Sequence, residues 1–184
     1  MELYFIPKLF DEDELKIIDD AISNTHYGFG YNDQWEQAGV GYLTEKPKAR
    51  STEIKWIESE ILNKKLGQSF EDANEIYKYQ ITELSDIGIL KYNVGDYYDK
   101  HIDMGGAADM KAGFPSRKLS LIVPLSNDYE GGDTLFHRDA EPILMKKEYN
   151  TGTFFPSYVL HEVTPVEKGT RYSLVAWALG EPFK

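Results

Sequence analysis

From about residue 75 onward, the sequence breaks into short segments rich in β-branched and aromatic residues, separated by Gly, Pro, Asn and Asp. The predicted strands lie at residues 76–84, 88–92, 97–103, 118–125, 134–136, 142–146, 152–155 and 171–179. Many short strands with this punctuation are typical of a sandwich or barrel. We therefore predict a mainly β fold with flanking α-helices, and a double-sheet jelly roll fits it best.

Two helices are predicted ahead of these strands, at residues 11–23 and 51–66. In the first, Asp11 and Glu14 have the spacing of a capping box, and apolar residues recur at helical spacing behind them. The second is expected to end at Gly67, because glycine commonly follows the last turn of a helix. Helices followed by strands predict a β-sandwich supported on one side by helices.

Composition narrows the class of protein. A chain of 184 residues is long enough to bury a core and is expected to form one domain. Its formal charge of −11 repels nucleic-acid phosphate, so no nucleic-acid partner is predicted. No apolar run is long enough to span a bilayer, and the first residues do not have the pattern of a secretory signal. We therefore expect no membrane partner and, by default, a cytoplasmic location.

Three residues form a candidate metal site. His101 and Asp103 end the predicted strand 97–103, where residues two apart project from the same face. His161 is the best candidate for a third ligand. Two imidazoles and one carboxylate on one side of a metal form the arrangement of non-haem Fe(II) oxygenases, which leaves coordination positions open.

A candidate anion site follows along the chain. Arg171 comes ten residues after His161, and Ser173 lies on the same face of the predicted strand 171–179. A guanidinium binds a carboxylate through two parallel hydrogen bonds, and a nearby hydroxyl can add a third. This pair suits a dicarboxylate that chelates the metal at one end and is anchored at the other.

Taken together, these segments resemble the Fe(II)- and 2-oxoglutarate-dependent dioxygenase superfamily, and within it the prolyl 4-hydroxylase group. The segments that carry the resemblance are residues 91–103, 117–126, 129–136 and 152–177, so that it covers roughly residues 75–180. Many prolyl hydroxylases have lysine at the position of Arg171, whereas related bacterial hydroxylases have arginine.

The resemblance implies a set of catalytic residues that are also the metal ligands, namely His101, Asp103 and His161. It implies that Arg171 pairs with the distal carboxylate of 2-oxoglutarate, that Tyr92 touches the same carboxylate, and that Ser173 is a further contact. The implied cofactors are Fe(II), 2-oxoglutarate as co-substrate, O2, and ascorbate as reductant.

The resemblance also implies a reaction, the hydroxylation of a C–H bond with release of succinate and CO2. A peptidyl residue such as proline is the favoured substrate, so a peptide or protein is the expected partner. Two alternatives stay open at this point. One is a hydroxylase of a free amino acid or another small molecule, and the other is a cupin-like binding protein without catalysis.

Some candidates compete with this assignment or extend it. His137 and Asp139 have the same spacing as the first ligand pair. Trp177 alternates with Arg171 along its strand and either walls the co-substrate pocket or fills the core, and the core is favoured. Residues 24–50 and 104–116 are predicted to form flaps over the substrate.

Overall fold

The computed structural model of the chain describes residues 3–23, 34–38, 49–105, 115–138 and 140–182. Two helices are α1 (Glu12–Ser23) and α2 (Glu60–Tyr77). The strands are β1 (Tyr4–Ile6), β2 (Glu36–Gln37), β3 (Arg50–Ser51), β4 (Glu53–Ile57), β5 (Glu83–Leu84), β6 (Ile87–Tyr92), β7 (Tyr97–His101), β8 (Ser116–Pro124), β9 (Glu130–Gly131), β10 (Thr134–Phe136), β11 (Ile143–Leu144), β12 (Gly152–Pro156), β13 (His161–Val163), β14 (Val166–Lys168) and β15 (Arg171–Gly180). Within the described residues, neither helix is both long enough and apolar enough to cross a membrane.

The strands form two main sheets. The major sheet has the order β1-β12-β8-β15-β6-β4-β2, with β5 paired to β15, and the minor sheet has the order β11-β10-β13-β7-β3. All the paired strands are antiparallel, and a short third sheet pairs β9 with β14. The prediction of a mainly β fold with flanking helices is therefore confirmed.

The two faces of the major sheet have different neighbours. On β8, Leu119, Leu121 and Val123 point toward a core shared with both helices, where Phe70 of α2 meets Phe154 edge to face at 5.2 Å. The intervening Ile122 belongs to a second core cluster, which lies between the two sheets. Successive side chains of β8 therefore face two different cores, one between the major sheet and the helices and one between the two sheets.

The capping box predicted at the start of α1 is confirmed. The Glu14 backbone N–H donates to Asp11 Oδ1 at 2.9 Å, and the Asp11 N–H donates to Glu14 Oε2 at 2.9 Å. Each side chain thus satisfies a backbone donor that the first helical turn leaves without an intrahelical partner.

The helix predicted at residues 51–66 was wrong in its bounds. Strands β3 and β4 occupy its first half, and α2 begins only after Ser59, whose side chain accepts from the Leu62 N–H at 3.3 Å. The helix then continues through Gly67 and ends at Tyr77. All five residues of β4 pair with β6, and this pairing overrides the helical spacing of the isoleucines in this segment.

The strand predicted at residues 76–84 was also wrong, because the first of these residues end α2 and only Glu83–Leu84 forms a strand. Lys78 adopts a left-handed conformation with φ of 58°, and its N–H donates to the Asn74 carbonyl. The Asn74 side chain then accepts from the Tyr79 N–H at 2.8 Å. Local hydrogen bonds therefore turn the chain where its composition favoured a strand.

Asn150 joins the segment before α1 to the turn that precedes β12. Its Oδ1 accepts from the Phe10 N–H at 2.9 Å, and its Nδ2 donates to the Phe10 carbonyl at 2.7 Å. The side chain is buried, and the backbone has a positive φ of 56°, which asparagine tolerates better than most residues. One side chain thus satisfies both backbone polar groups of a buried residue.

We predict that Asn150→Asp lowers the free energy of unfolding by about 1–3 kcal/mol, because a carboxylate oxygen would face the Phe10 carbonyl in place of a donor. Denaturant unfolding of the purified variant measures the change. The matched control is Asn63→Asp on the exposed face of α2, which we expect to change stability by less than about 0.5 kcal/mol. Equal effects of the two substitutions would contradict this account.

Candidate functional site

Two histidines face each other across the minor sheet. His101 is the last residue of β7 and His161 the first of β13, and the two are directly opposite in the antiparallel register. Asp103 follows, with its Oδ1 3.6 Å from His101 Nε2 and 3.8 Å from His161 Nε2. One ligand atom from each of the three residues lies within 4.8 Å of the other two, so the group can hold a metal ion.

The route by which Asp103 reaches the histidines differs from the sequence-based prediction. The predicted strand ran to Asp103, whereas β7 ends at His101. The backbone N–H groups of Asp103 and Met104 both donate to the Ser157 carbonyl at 2.9 Å. An irregular segment beyond the strand end, rather than strand alternation, therefore brings the carboxylate beside the imidazoles.

Backbone carbonyls fix the orientation of both imidazoles. His101 Nδ1 lies 2.7 Å from the Asp99 carbonyl oxygen, and His161 Nδ1 lies 2.9 Å from that of Val159. Because a carbonyl oxygen only accepts, each Nδ1 carries the hydrogen and each neutral ring keeps a lone pair on Nε2. Both lone pairs are then available for a metal, and the backbone holds the rings in place.

The charges in the site also suit a metal. Burial, together with the proximity of His161, lowers the pKa of His101 to about 3, although Asp103 opposes the shift. Burial alone raises the pKa of Asp103, but His161, His101 and Arg117 outweigh it and lower that pKa to about 2. At neutral pH, His101 is therefore neutral and Asp103 is ionised, which are the forms that bind a metal.

Arg171 is a buried cation on the major sheet, with a side chain only 2% exposed. Its Nη1 donates to Ser173 Oγ and its Nη2 to Thr134 Oγ1, each at 3.1 Å. The guanidinium carbon lies 4.8 Å from the centre of the Tyr92 ring, which is Arg171's neighbour across β6 and β15. Among the described residues, no carboxylate pairs with it. A buried charge without a counterion is costly, so this position is suited to binding an anion.

One cavity of about 430 Å³ is lined by all the residues of the predicted metal site and anion site. Its lining includes the candidate ligands and the candidate anion contacts, namely His101, Asp103, His161, Arg171, Tyr92 and Ser173. Both sheets contribute to the wall, because β7 and β13 carry the histidines and β15 carries Arg171. A small molecule in this cavity can therefore touch the candidate metal site and the guanidinium together.

Some residues at the site were not assigned from the sequence. The Trp177 Nε1–H donates to Asp103 Oδ2 at 3.0 Å, and the Arg117 guanidinium carbon lies 3.7 Å from the centre of the Trp177 ring. Tyr98 stacks on His101 with ring centres 3.4 Å apart. For Trp177, the strand alternation with Arg171 allowed a pocket wall but favoured the core, and it contained no signal for a bond to Asp103.

The competing ligand pair has a different environment. His137 Nε2 lies 2.6 Å from Glu162 Oε1 and is not part of the group formed by His101, Asp103 and His161. Asp139 lies outside the described residues. Most of the two predicted flaps, residues 24–50 and 104–116, also lies outside them. The described residues of those segments that line the cavity include Glu36–Gln37, Met104 and Ser116. The flap hypothesis stays a prediction.

Comparison with known protein families decides the superfamily. The model of the 2OG-Fe(II) oxygenase superfamily matches residues 87–179, which is half of the chain and includes every candidate site residue. The chain belongs to this superfamily. The resemblance identified from the sequence is therefore confirmed.

Curated relatives are named PKHD-type hydroxylases. One from Gloeothece citriformis is 36% identical over 89 residues, which cover 47% of this chain and 39% of the relative. One from Idiomarina loihiensis is 27% identical, with 42% of its length covered. The match thus spans about two fifths of the length of these relatives. One from Pseudomonas putida strain W619 is 27% identical over 95% of this chain and 77% of its own length.

Solved structures support the fold. A Pseudomonas putida prolyl-4-hydroxylase superposes with a TM-score of 0.72 at 16% identity, covering 96% of this chain and 91% of its own. A viral collagen prolyl hydroxylase from Paramecium bursaria Chlorella virus-1, solved as a 2OG complex, has a TM-score of 0.68 at 21% identity, with 98% and 97% covered. These likenesses agree with the double-stranded β-helix, or jelly roll, expected of 2OG oxygenases.

We predict that the metal-free protein loses stability as pH falls from about 6.5 toward 3, because His101 takes up a proton in the unfolded chain but not in the folded one. This one residue contributes a slope of up to about 1.4 kcal/mol per pH unit, and Asp103 acts in the same direction at lower pH. Denaturant unfolding at a series of pH values measures the slope. His101→Gln should flatten the profile, and parallel profiles for the two proteins would contradict the assignment.

Proposed function

We propose that this protein is an Fe(II)- and 2-oxoglutarate-dependent dioxygenase that hydroxylates a C–H bond. His101, Asp103 and His161 would hold the metal and are the catalytic residues of the proposal. One observation supports it above the others: three ligand atoms within 4.8 Å of one another share a cavity with a buried guanidinium that has no carboxylate partner in the described residues.

The donor set fits Fe(II). Two neutral imidazoles and one carboxylate form the facial triad of non-haem iron oxygenases, and hard or borderline nitrogen and oxygen donors suit this ion. When bound, Fe(II) with 2-oxoglutarate and O2 supplies the oxidising chemistry for the C–H bond, and the co-substrate leaves as succinate and CO2. Ascorbate belongs to the proposal as a reductant that restores Fe(II).

The chain's own residues would bind and orient the co-substrate. Arg171 would anchor the distal carboxylate of 2-oxoglutarate through a bidentate pair, which neutralises the buried guanidinium. The Ser173 and Thr134 hydroxyls accept hydrogen bonds from that guanidinium, and the Tyr92 ring lies against it. This local positive charge would also attract a dianion to a chain whose formal charge is −11.

For the substrate, we propose a peptidyl residue such as proline. The relatives named above are PKHD-type and prolyl hydroxylases. A further solved neighbour, a prolyl hydroxylase from Trichoplax adhaerens with a TM-score of 0.71 at 16% identity, was solved with a peptide fragment of the hypoxia inducible factor oxygen degradation domain. These names favour a peptide over a free amino acid or another small molecule.

The substrate proposal is tested by measuring succinate release and a hydroxylated product by mass spectrometry. Proline-containing peptides are compared with free proline and other free amino acids, with Fe(II), 2-oxoglutarate and ascorbate present. We expect product from peptides and background release from free amino acids. Product from free amino acids alone would favour the small-molecule alternative. No product and no 2-oxoglutarate binding would favour a non-catalytic binding protein.

We predict that Arg171→Gln raises the KM for 2-oxoglutarate by about 10- to 100-fold, the range expected from losing a charge-assisted hydrogen-bonded pair. Arg171→Lys should recover part of this loss, since it keeps the charge but not the planar fork. Arg138→Gln on the exposed surface is the matched control and should leave the KM within about twofold. An unchanged KM in Arg171→Gln would contradict the anchor assignment.

A further inference from the structure

Asp103 differs from the two histidines in how it is held. Both histidines lie in paired strands, where the β7–β13 register sets their positions. Asp103 lies beyond the end of β7, where its backbone N–H donates to the Ser157 carbonyl. Its side chain therefore needs a separate partner to keep one orientation.

Trp177 supplies that partner from the opposite sheet. Asp103 Oδ1 is the oxygen that faces the two histidine Nε2 atoms, whereas Oδ2 accepts the Trp177 Nε1–H at 3.0 Å. One oxygen is thus directed at the candidate metal position and the other is occupied by the indole. A carboxylate held in this way presents a single oxygen to a metal.

The indole itself is fixed on several sides. Trp177 lies in β15 opposite Ser120 of β8, its backbone N–H donates to Ser85 Oγ at 2.9 Å, and its side chain is 8% exposed. The Arg117 guanidinium covers one part of the ring at 3.7 Å. A donor with so little freedom can restrict the rotation of the carboxylate that it binds.

We infer that Trp177 is a positioning residue for the metal site, which keeps Asp103 as a one-oxygen ligand directed toward His101 and His161. The inference rests on the proposed function, because it assigns a role within the same metal site. Trp177 and Arg171 lie six residues apart on one face of β15. This strand therefore carries both the orienting group for the metal ligand and the proposed anchor for the co-substrate.

The test uses metal affinity rather than turnover. Co(II), which is stable toward air, is titrated calorimetrically into the metal-free full chain, and its visible absorption spectrum is recorded. Trp177→Phe and Trp177→Met both remove the N–H donor but keep an apolar side chain. We expect each to raise the Kd for Co(II) by about 10-fold or more, the effect of losing a group that orients a ligand, and to shift the visible bands.

Trp56→Phe is the matched control. Trp56 lines the same cavity, and its ring centre lies 6.5 Å from that of Trp177. It should leave the Kd within about twofold of the original, as expected for a substitution that removes no ligand contact. Thermal unfolding of each metal-free variant shows whether it is folded before its affinity is compared.

The outcomes separate this inference from the proposed function. If the unsubstituted chain does not bind Co(II), the proposed metal site itself fails. If the unsubstituted chain binds and folded Trp177→Phe and Trp177→Met bind equally well with the same spectrum, only the role of Trp177 is overturned. An equal loss in Trp56→Phe also overturns it, because general packing would then explain the effect.

Discussion

The antiparallel pairing of β7 with β13 places His101 directly opposite His161, and the geometry of the candidate site depends on this register. A shift of one residue would turn one imidazole to the opposite face of the minor sheet and separate the pair. Hydrogen bonds from each Nδ1 to a backbone carbonyl then fix the rings. The backbone thus sets the two nitrogen donors before any ligand is bound, which reduces the ordering cost of binding a metal.

The charged side chains near the two histidines do not contribute to the stability of the fold in an obvious way. His101 is buried and Asp103 is partly buried, with a side chain 10% exposed. Arg171 is buried with hydroxyl partners and no carboxylate among the described residues. Burying such groups costs free energy unless a counterion compensates. A divalent cation beside Asp103 and a dicarboxylate beside Arg171 would compensate both, and the cavity brings the two positions together.

The sequence predicted features that depend on residues close together in the chain, and it missed features that depend on residues far apart. The capping box at Asp11 and the strand at residues 118–125 follow from local patterns, and both were predicted correctly to within two residues. The second helix was misplaced because pairing between β4 and β6, which lie far apart in the chain, decides that segment. The family pattern brought together the candidate site residues, but the bond from Trp177 to Asp103 crosses between the sheets and has no local signature.

The most direct test of the central claim is the visible spectrum of the chain mixed with Fe(II) and 2-oxoglutarate in the absence of oxygen. A metal held by His101, Asp103 and His161 and chelated by the co-substrate should give a charge-transfer band. His161→Ala should abolish the band, whereas His137→Ala, which removes a histidine paired with Glu162 outside the site, should retain it. No band in the unsubstituted chain, or a band that survives His161→Ala, would contradict the account.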